Sequence, residues 1–115
     1  MTTVADVTEK LALKLMTPKV SLSRSVNGGY AADLLSCVMA RAKAGDVWVT
    51  LQAHPNVVAV ASLLNLAAVI VTEDMPIEQP TIDKAEDVGM PILSSSLTTF
   101  SMVERLHELG IHGSD

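Results

Sequence analysis

Three clusters of polar residues have types that could do chemistry, and each follows an apolar run. Gln52, His54 and Asn56 follow "GDVWVT"; Thr72, Glu73 and Asp74 follow "LAAVIV"; Ser94, Ser95 and Ser96 follow "GMPIL". An imidazole with carboxylates offers divalent-metal ligation or general acid–base catalysis. Serines offer nucleophilic attack once a neighbouring base activates the hydroxyl. The helix start at Pro55 and Asn56 would expose backbone N–H groups, which favour an anion.

Each of these chemistries needs more than residue type. His54, Glu73 and Asp74 are three donors in two loops, and solvated turns with a helix-start histidine account for them equally well, so no metal site is assigned. No Gly-x-Ser-x-Gly turn presents a serine, and no Gly-x-x-x-x-Gly-Lys-Ser/Thr loop cradles a phosphate. The three loops carry no Lys or Arg, so a phosphate would meet Glu73 and Asp74 with only His54 to oppose them. The expectation is a binding edge with no catalytic residue, metal or cofactor. Its ligand candidates are Gln52, His54, Asn56, Thr72, Glu73, Asp74, Ser94 and Ser95. Tyr30 and Asp33 are secondary: Gly28 and Gly29 before Tyr30 suggest close backbone approach to a neighbouring strand or a small ligand. The serine run is accounted for by turn formation and capping.

The elements that must hold these residues follow from the patterning. "GDVWVTLQ", "LAAVIVTED" and "GMPILSSS" recur at about 22 residues, each followed by a helical pattern, the rhythm of strand–helix units. Strands so joined are parallel, and Val47–Leu51 and Ala68–Val71 are apolar on both faces, as a sheet covered on both sides requires. The fold class is therefore α/β: a three-layer α/β/α domain with a mostly parallel central sheet, the whole of residues 1–115 forming one domain. In such sheets ligands lie beyond the carboxyl ends of the strands, where the three polar clusters fall.

The helix after His54-Pro55 has proline at its first position. Its residues Val57, Val58, Val60, Ala61, Leu63, Leu64 and Leu66 surround most of the circumference, so it is either deeply buried or has half its surface on another chain, and in a domain this small the homodimer contact is favoured. Val57, Val58, Ala61, Leu63 and Leu64 are the candidate homodimer residues. The helix over Gln79 to Val88 is amphipathic and ends at Gly89. The last, Leu97 to Leu109, has Phe100, Val103, Leu106 and Leu109 at spacings of three, with Ser96 or Thr98 as its cap. His107 and His112 flank its end, where positive charge suits the helix dipole. The first half reads as a helix over Val4 to Leu11, a short strand "LKLM", a turn-rich link, a strand through Gly29 and Tyr30, and a helix from Asp33, its cap, to Ala42.

Composition narrows the function classes. The core is aliphatic, because 49% of residues are apolar and only 3% aromatic. Net charge is −5, and no Lys or Arg lies between Lys43 and Lys84, so the basic surface that nucleic-acid binding requires is missing. Cys37 is the only cysteine, which excludes an internal disulfide. No apolar run of about 18 residues crosses a bilayer, and "MTTVADVTEKLALKLM" is not a secretory signal, so the cytoplasm is the expected location.

Two stretches together, "VNGGYAADLLSCVMARAKAGDVWVTLQAHPNVVAVASLLNLAAVIVT" and "AEDVGMPILSSSLTTFSMVERL", resemble the DRTGG domain family over about residues 4 to 110. Such domains are similar to the N-terminal domain of HPr kinase/phosphorylase. They occur in CBS-containing pyrophosphatases and some phosphotransacetylases, as well as alone. The resemblance implies a noncatalytic α/β unit that homodimerises, regulates or scaffolds a partner enzyme or signalling protein in trans, or senses a small molecule such as a nucleotide or metabolite. The family's Asp-Arg pair is replaced here by Leu51-Gln52-Ala53-His54. Of its Thr-Gly-Gly element, at Thr72-Glu73-Asp74, only the threonine remains.

Overall fold

Alternation of side chains along three short apolar runs builds the architecture. In the computed structural model, which describes residues 1–115, the order is α1 (Val4–Lys10), β1 (Lys14–Leu15), β2 (Gly28–Ala31), α2 (Leu35–Arg41), β3 (Asp46–Thr50), α3 (Pro55–Leu63), β4 (Ala68–Val71), α4 (Gln79–Val88), β5 (Ile92–Ser94) and α5 (Thr99–Glu108). Val47, Val49, Ala68, Ile70 and Leu93 enter one core with Val4 and Val7 of α1 and Met102 and Leu106 of α5. Their neighbours Trp48, Val69, Val71 and Ile92 enter a second core with residues of α2, α3 and α4. The sheet is thus the middle of three layers, as its double-sided apolarity predicts. Its order is β1-β5-β4-β3-β2, parallel throughout except β1, which runs antiparallel to β5 with Lys14 opposite Ser94.

Local signals set the helix ends. Thr3 and Asp6 form a capping box at α1: the Asp6 N–H donates to Thr3 Oγ1 at 3.2 Å and the Thr3 N–H donates to Asp6 Oδ2 at 2.9 Å. The Thr3 N–H, then its hydroxyl, hold the Asp6 carboxyl below the ordinary 3.8. Of the two caps expected for α5, Thr98 serves, accepting the Ser101 N–H at 3.2 Å. Gly89 ends α4 at φ 74°.

Two expectations are corrected. Asp33 does not cap α2; Leu34 occupies that position without a side-chain bond. The Asp33 carboxylate turns instead to the end of β3, accepting the Thr50 hydroxyl at 2.9 Å and the Leu51 N–H at 2.7 Å.

Nor are Val57, Val58 and Ala61 a surface for a second copy. They are no more than 1% exposed and fill the chain's own second core. Two neighbouring helices and the sheet consume an apolar stripe that a lone helix would have to share. Leu64 is half-buried against the same core, and Leu63 alone is well exposed.

In α5, the three-residue spacing does not make one face. At about 100° per residue, Phe100 and Leu109 lie about 180° apart. Met102 and Leu106 point inward, whereas Phe100 is 89% exposed.

The doublet Gly28-Gly29 meets the chain's own backbone. A Cβ on Gly28 would stand 2.5 Å from Ser114 Oγ and 2.9 Å from both Asp46 Oδ1 and the His112 carbonyl oxygen. Only glycine fits there, because the C-terminal segment passes directly over it.

Candidate functional site

Parallel β2, β3, β4 and β5 bring their carboxyl ends to one edge, so the three polar clusters meet there as the sequence implies. Much of their bonding capacity is taken up by the fold. Thr72 is fully buried and shares a hydrogen bond of 2.8 Å with the Thr99 hydroxyl. Glu73 Oε2 accepts the Thr99 N–H at 3.5 Å, at the start of α5. The Gln52 amide donates to the Asp33 carbonyl at 3.1 Å. His54 is the cap of α3, its Nδ1 accepting the Asn56 N–H at 3.1 Å. Ser95 Oγ accepts the Leu97 N–H at 3.1 Å. Tyr30 leans, half-buried, on the core beneath α2. Among the groups left without a bond inside the chain are the Tyr30 hydroxyl, the Asn56 amide, the Asp74 carboxylate and the Ser94 and Ser96 hydroxyls, and no cluster of three His, Cys, Asp or Glu could hold a metal ion.

Glu73 and Asp74 have φ of 60° and 53°, the left-handed region. These are the positions at which the resembled family would carry two glycines. The turn keeps a glycine conformation with acids in it, at a cost of roughly 1–2 kcal/mol per residue. The turn is held by backbone bonds: the Glu73 N–H donates to the Leu97 carbonyl at 2.8 Å and the Asp74 N–H to the Ser95 carbonyl at 3.0 Å.

Tertiary structure changes the charge at one end of this edge. Lys14 of β1 and Arg105 of α5 border a cleft of about 350 Å³ with Asp74, Ser94, Ser95 and Ser96. The loops themselves carry no cation, as read, but His54 is not the only group to oppose the acids: the antiparallel β1 and the returning α5 supply Lys14 and Arg105.

Two surface features went unread in the sequence. Phe100 and Val103, one turn apart on α5, are 89% and 44% exposed. Beside them, a cleft of about 410 Å³ runs between α5 and β2. The mismatch between a three-residue spacing and the helical repeat was the available signal for Phe100. The cleft had none, because its walls come from four separate segments.

The DRTGG domain family matches residues 6–109 of the chain. No curated protein sequence matches it. The fold is shared by a crystal structure of the CBS and DRTGG domains of the regulatory region of a Clostridium perfringens pyrophosphatase, complexed with its activator diadenosine tetraphosphate. The TM-score is 0.67 at 12% identity, over 90% of this chain and 45% of that one. This chain therefore spans less than half the length of that solved chain.

Proposed function

The chain belongs to the DRTGG domain family, and from that premise we propose that it is a noncatalytic regulatory or scaffolding domain that pairs with a second copy and acts on a partner enzyme or signalling protein. The bacterial pyrophosphatase region that shares its fold is itself regulatory. The observation that carries the proposal is how the carboxyl edge uses its polar groups. Asp33, Gln52, His54, Thr72, Glu73 and Ser95 each bond to the chain itself. No serine or threonine there is hydrogen-bonded to a histidine, the pairing that activates a nucleophile.

Pairing is assigned to α5 rather than α3. Phe100 projects almost its whole side chain into solvent, with Val103 beside it. A large aromatic costs free energy in water that contact with a second surface recovers. The test is light scattering of wild type and Phe100→Glu. A dimer that becomes a folded monomer supports the pairing, whereas a wild-type monomer, or a Phe100→Glu dimer, refutes it.

A second reading, a small-molecule sensor at the carboxyl edge, is favoured by the convergence of Lys14 and Arg105 on the serine loop. Thermal stabilisation by a panel of nucleotides and phosphorylated metabolites tests it. A ligand present at about 100 times its Kd raises stability by about 2.7 kcal/mol. A flat response across the panel counts against a sensor.

A further inference from the structure

The cleft between α5 and β2 has a composition unlike the carboxyl edge. It is walled by Val49, Val103, Leu106 and Ile111, with His107 and His112 at its rim, and no Lys, Arg, Asp or Glu lines it. The two imidazoles stand edge to face, with centroids 4.5 Å apart and planes at 74°. At about 410 Å³ the cleft is within the size range of small-molecule pockets, which are mostly apolar with a few placed polar groups.

Those polar groups include the free edge of β2. The Ala32 N–H donates inward to the Val49 carbonyl at 3.2 Å, while the Gly29 N–H donates outward to the His112 carbonyl at 3.1 Å. Strand alternation therefore turns the Ala31 N–H and C=O outward as well. The C-terminal segment does not reach them. It makes one bridge, Gly29 with Gly113, and then Ser114 turns to bond Asp46 Oδ1 at 2.7 Å. Ala31 thus presents a donor and an acceptor side by side at an apolar slot.

Gly29 adds a further observation. Its neighbour Gly28 has no room for a side chain, yet a Cβ on Gly29 would meet only ordinary contacts, 3.5 Å from Val47 and 3.6 Å from Ile111. The chain's own packing does not require glycine at position 29, and its absence of a side chain keeps the floor of the slot open.

We infer that this cleft binds an uncharged heteroaromatic ring, of the nucleobase or nicotinamide kind. A charged head would lose hydration with no opposite charge to replace it. A flat ring fits against the imidazoles and aliphatic walls, and ring nitrogens and exocyclic amines match the donor and acceptor of Ala31. This goes beyond the sensor reading above, because it places a ligand between α5 and the β2 edge rather than at the carboxyl-edge loops. It shares with that reading only the premise that a small molecule binds.

Amide NMR spectra of the full chain, titrated with adenosine, nicotinamide, benzoate and inorganic phosphate, test it. The expected result is movement of the Gly29, Ala31 and Gly113 amides with adenosine or nicotinamide and not with the two anions. Val103→Trp and Gly29→Ala, which fill the slot from opposite sides, should each weaken that binding about tenfold or more. Three results would each overturn the inference: no movement of these amides with either heterocycle at millimolar concentration, equal movement with benzoate or phosphate, or undiminished binding in folded variants. Shifts confined to Ser95 and Glu73 would also overturn it, while leaving the sensor reading standing.

Discussion

Asp33 Oδ1 accepts the Thr50 hydroxyl at 2.9 Å, and so ties the loop after β2 to the carboxyl end of β3. The same oxygen accepts the Leu51 N–H at 2.7 Å, where β3 has run out of ladder partners. One carboxylate thus terminates one strand and anchors the exit of the next. Asp33→Ala leaves both donors unmet and should cost about 1.5–3 kcal/mol, since bonds to charged groups are the stronger ones. Urea unfolding followed by the fluorescence of the fully buried Trp48 measures it. An effect under about 0.5 kcal/mol would show that water replaces the carboxylate.

Arg24 makes a comparable bond at the opposite end of the sheet. Its guanidinium donates to the Leu66 carbonyl at 2.8 Å and the Gly89 carbonyl at 3.1 Å, joining the turns that follow α3 and α4. Arg24→Met keeps the aliphatic stem and loses both bonds. The expected loss is about 2–3 kcal/mol in the same urea experiment, and Arg24→Lys should recover only part of it, because an ammonium cannot span both acceptors with a fixed fork.

At Glu73 and Asp74, glycine is the residue that the backbone favours. Glu73→Gly relieves the left-handed strain of roughly 1–2 kcal/mol and gives back part of that as chain entropy, up to about 1 kcal/mol. Thermal unfolding should show Glu73→Gly neutral to mildly stabilised. Glu73→Val, with a branched Cβ at φ 60°, should lower the midpoint clearly. Equal midpoints for the glycine and valine variants would mean that the turn relaxes out of the left-handed region.

The capping box at α1 carries a pH signature. Hydrogen bonds from Thr3 lower the Asp6 carboxyl below its ordinary 3.8 in the folded chain. A depressed folded value contributes stability that is present above the unfolded value and fades as pH falls through the folded one. Acid unfolding should therefore include a contribution from α1 below about pH 4 that Asp6→Asn removes. Identical acid-side stability curves for wild type and variant would refute the assignment.

The α5 surface separates pairing from core packing. Phe100→Glu should monomerise the chain with little loss of stability, because the side chain is 89% exposed. Val58→Glu should unfold it, since Val58 is fully buried on the inner face of α3 and an unpaired carboxylate there has no partner. Circular dichroism with light scattering distinguishes the two outcomes. A soluble, folded Val58→Glu monomer would restore α3 as the pairing surface.

What the sequence by itself determined is local and periodic. Apolar runs on both faces of Val47–Leu51 and Ala68–Val71 require a covered parallel sheet, Pro55 and Gly89 mark helix ends, and the polar clusters follow the strands to one edge. Each of these depends on neighbours within a few residues, which a sequence displays. Only the tertiary structure decided which apolar faces remain open and which charges meet. Val57, Val58 and Ala61 looked like a surface and are core, because α2, α4 and the sheet close around them. Phe100 shares a three-residue spacing with the buried Leu106 yet is surface, because the helix turns by about 100° per residue while these apolar positions advance by three. Lys14 reaches the serine loop, and the C-terminal segment reaches Gly28, across many tens of residues, while Arg105 is brought back to that loop by the course of α5. Such meetings are set by how layers pack, and no local pattern records them.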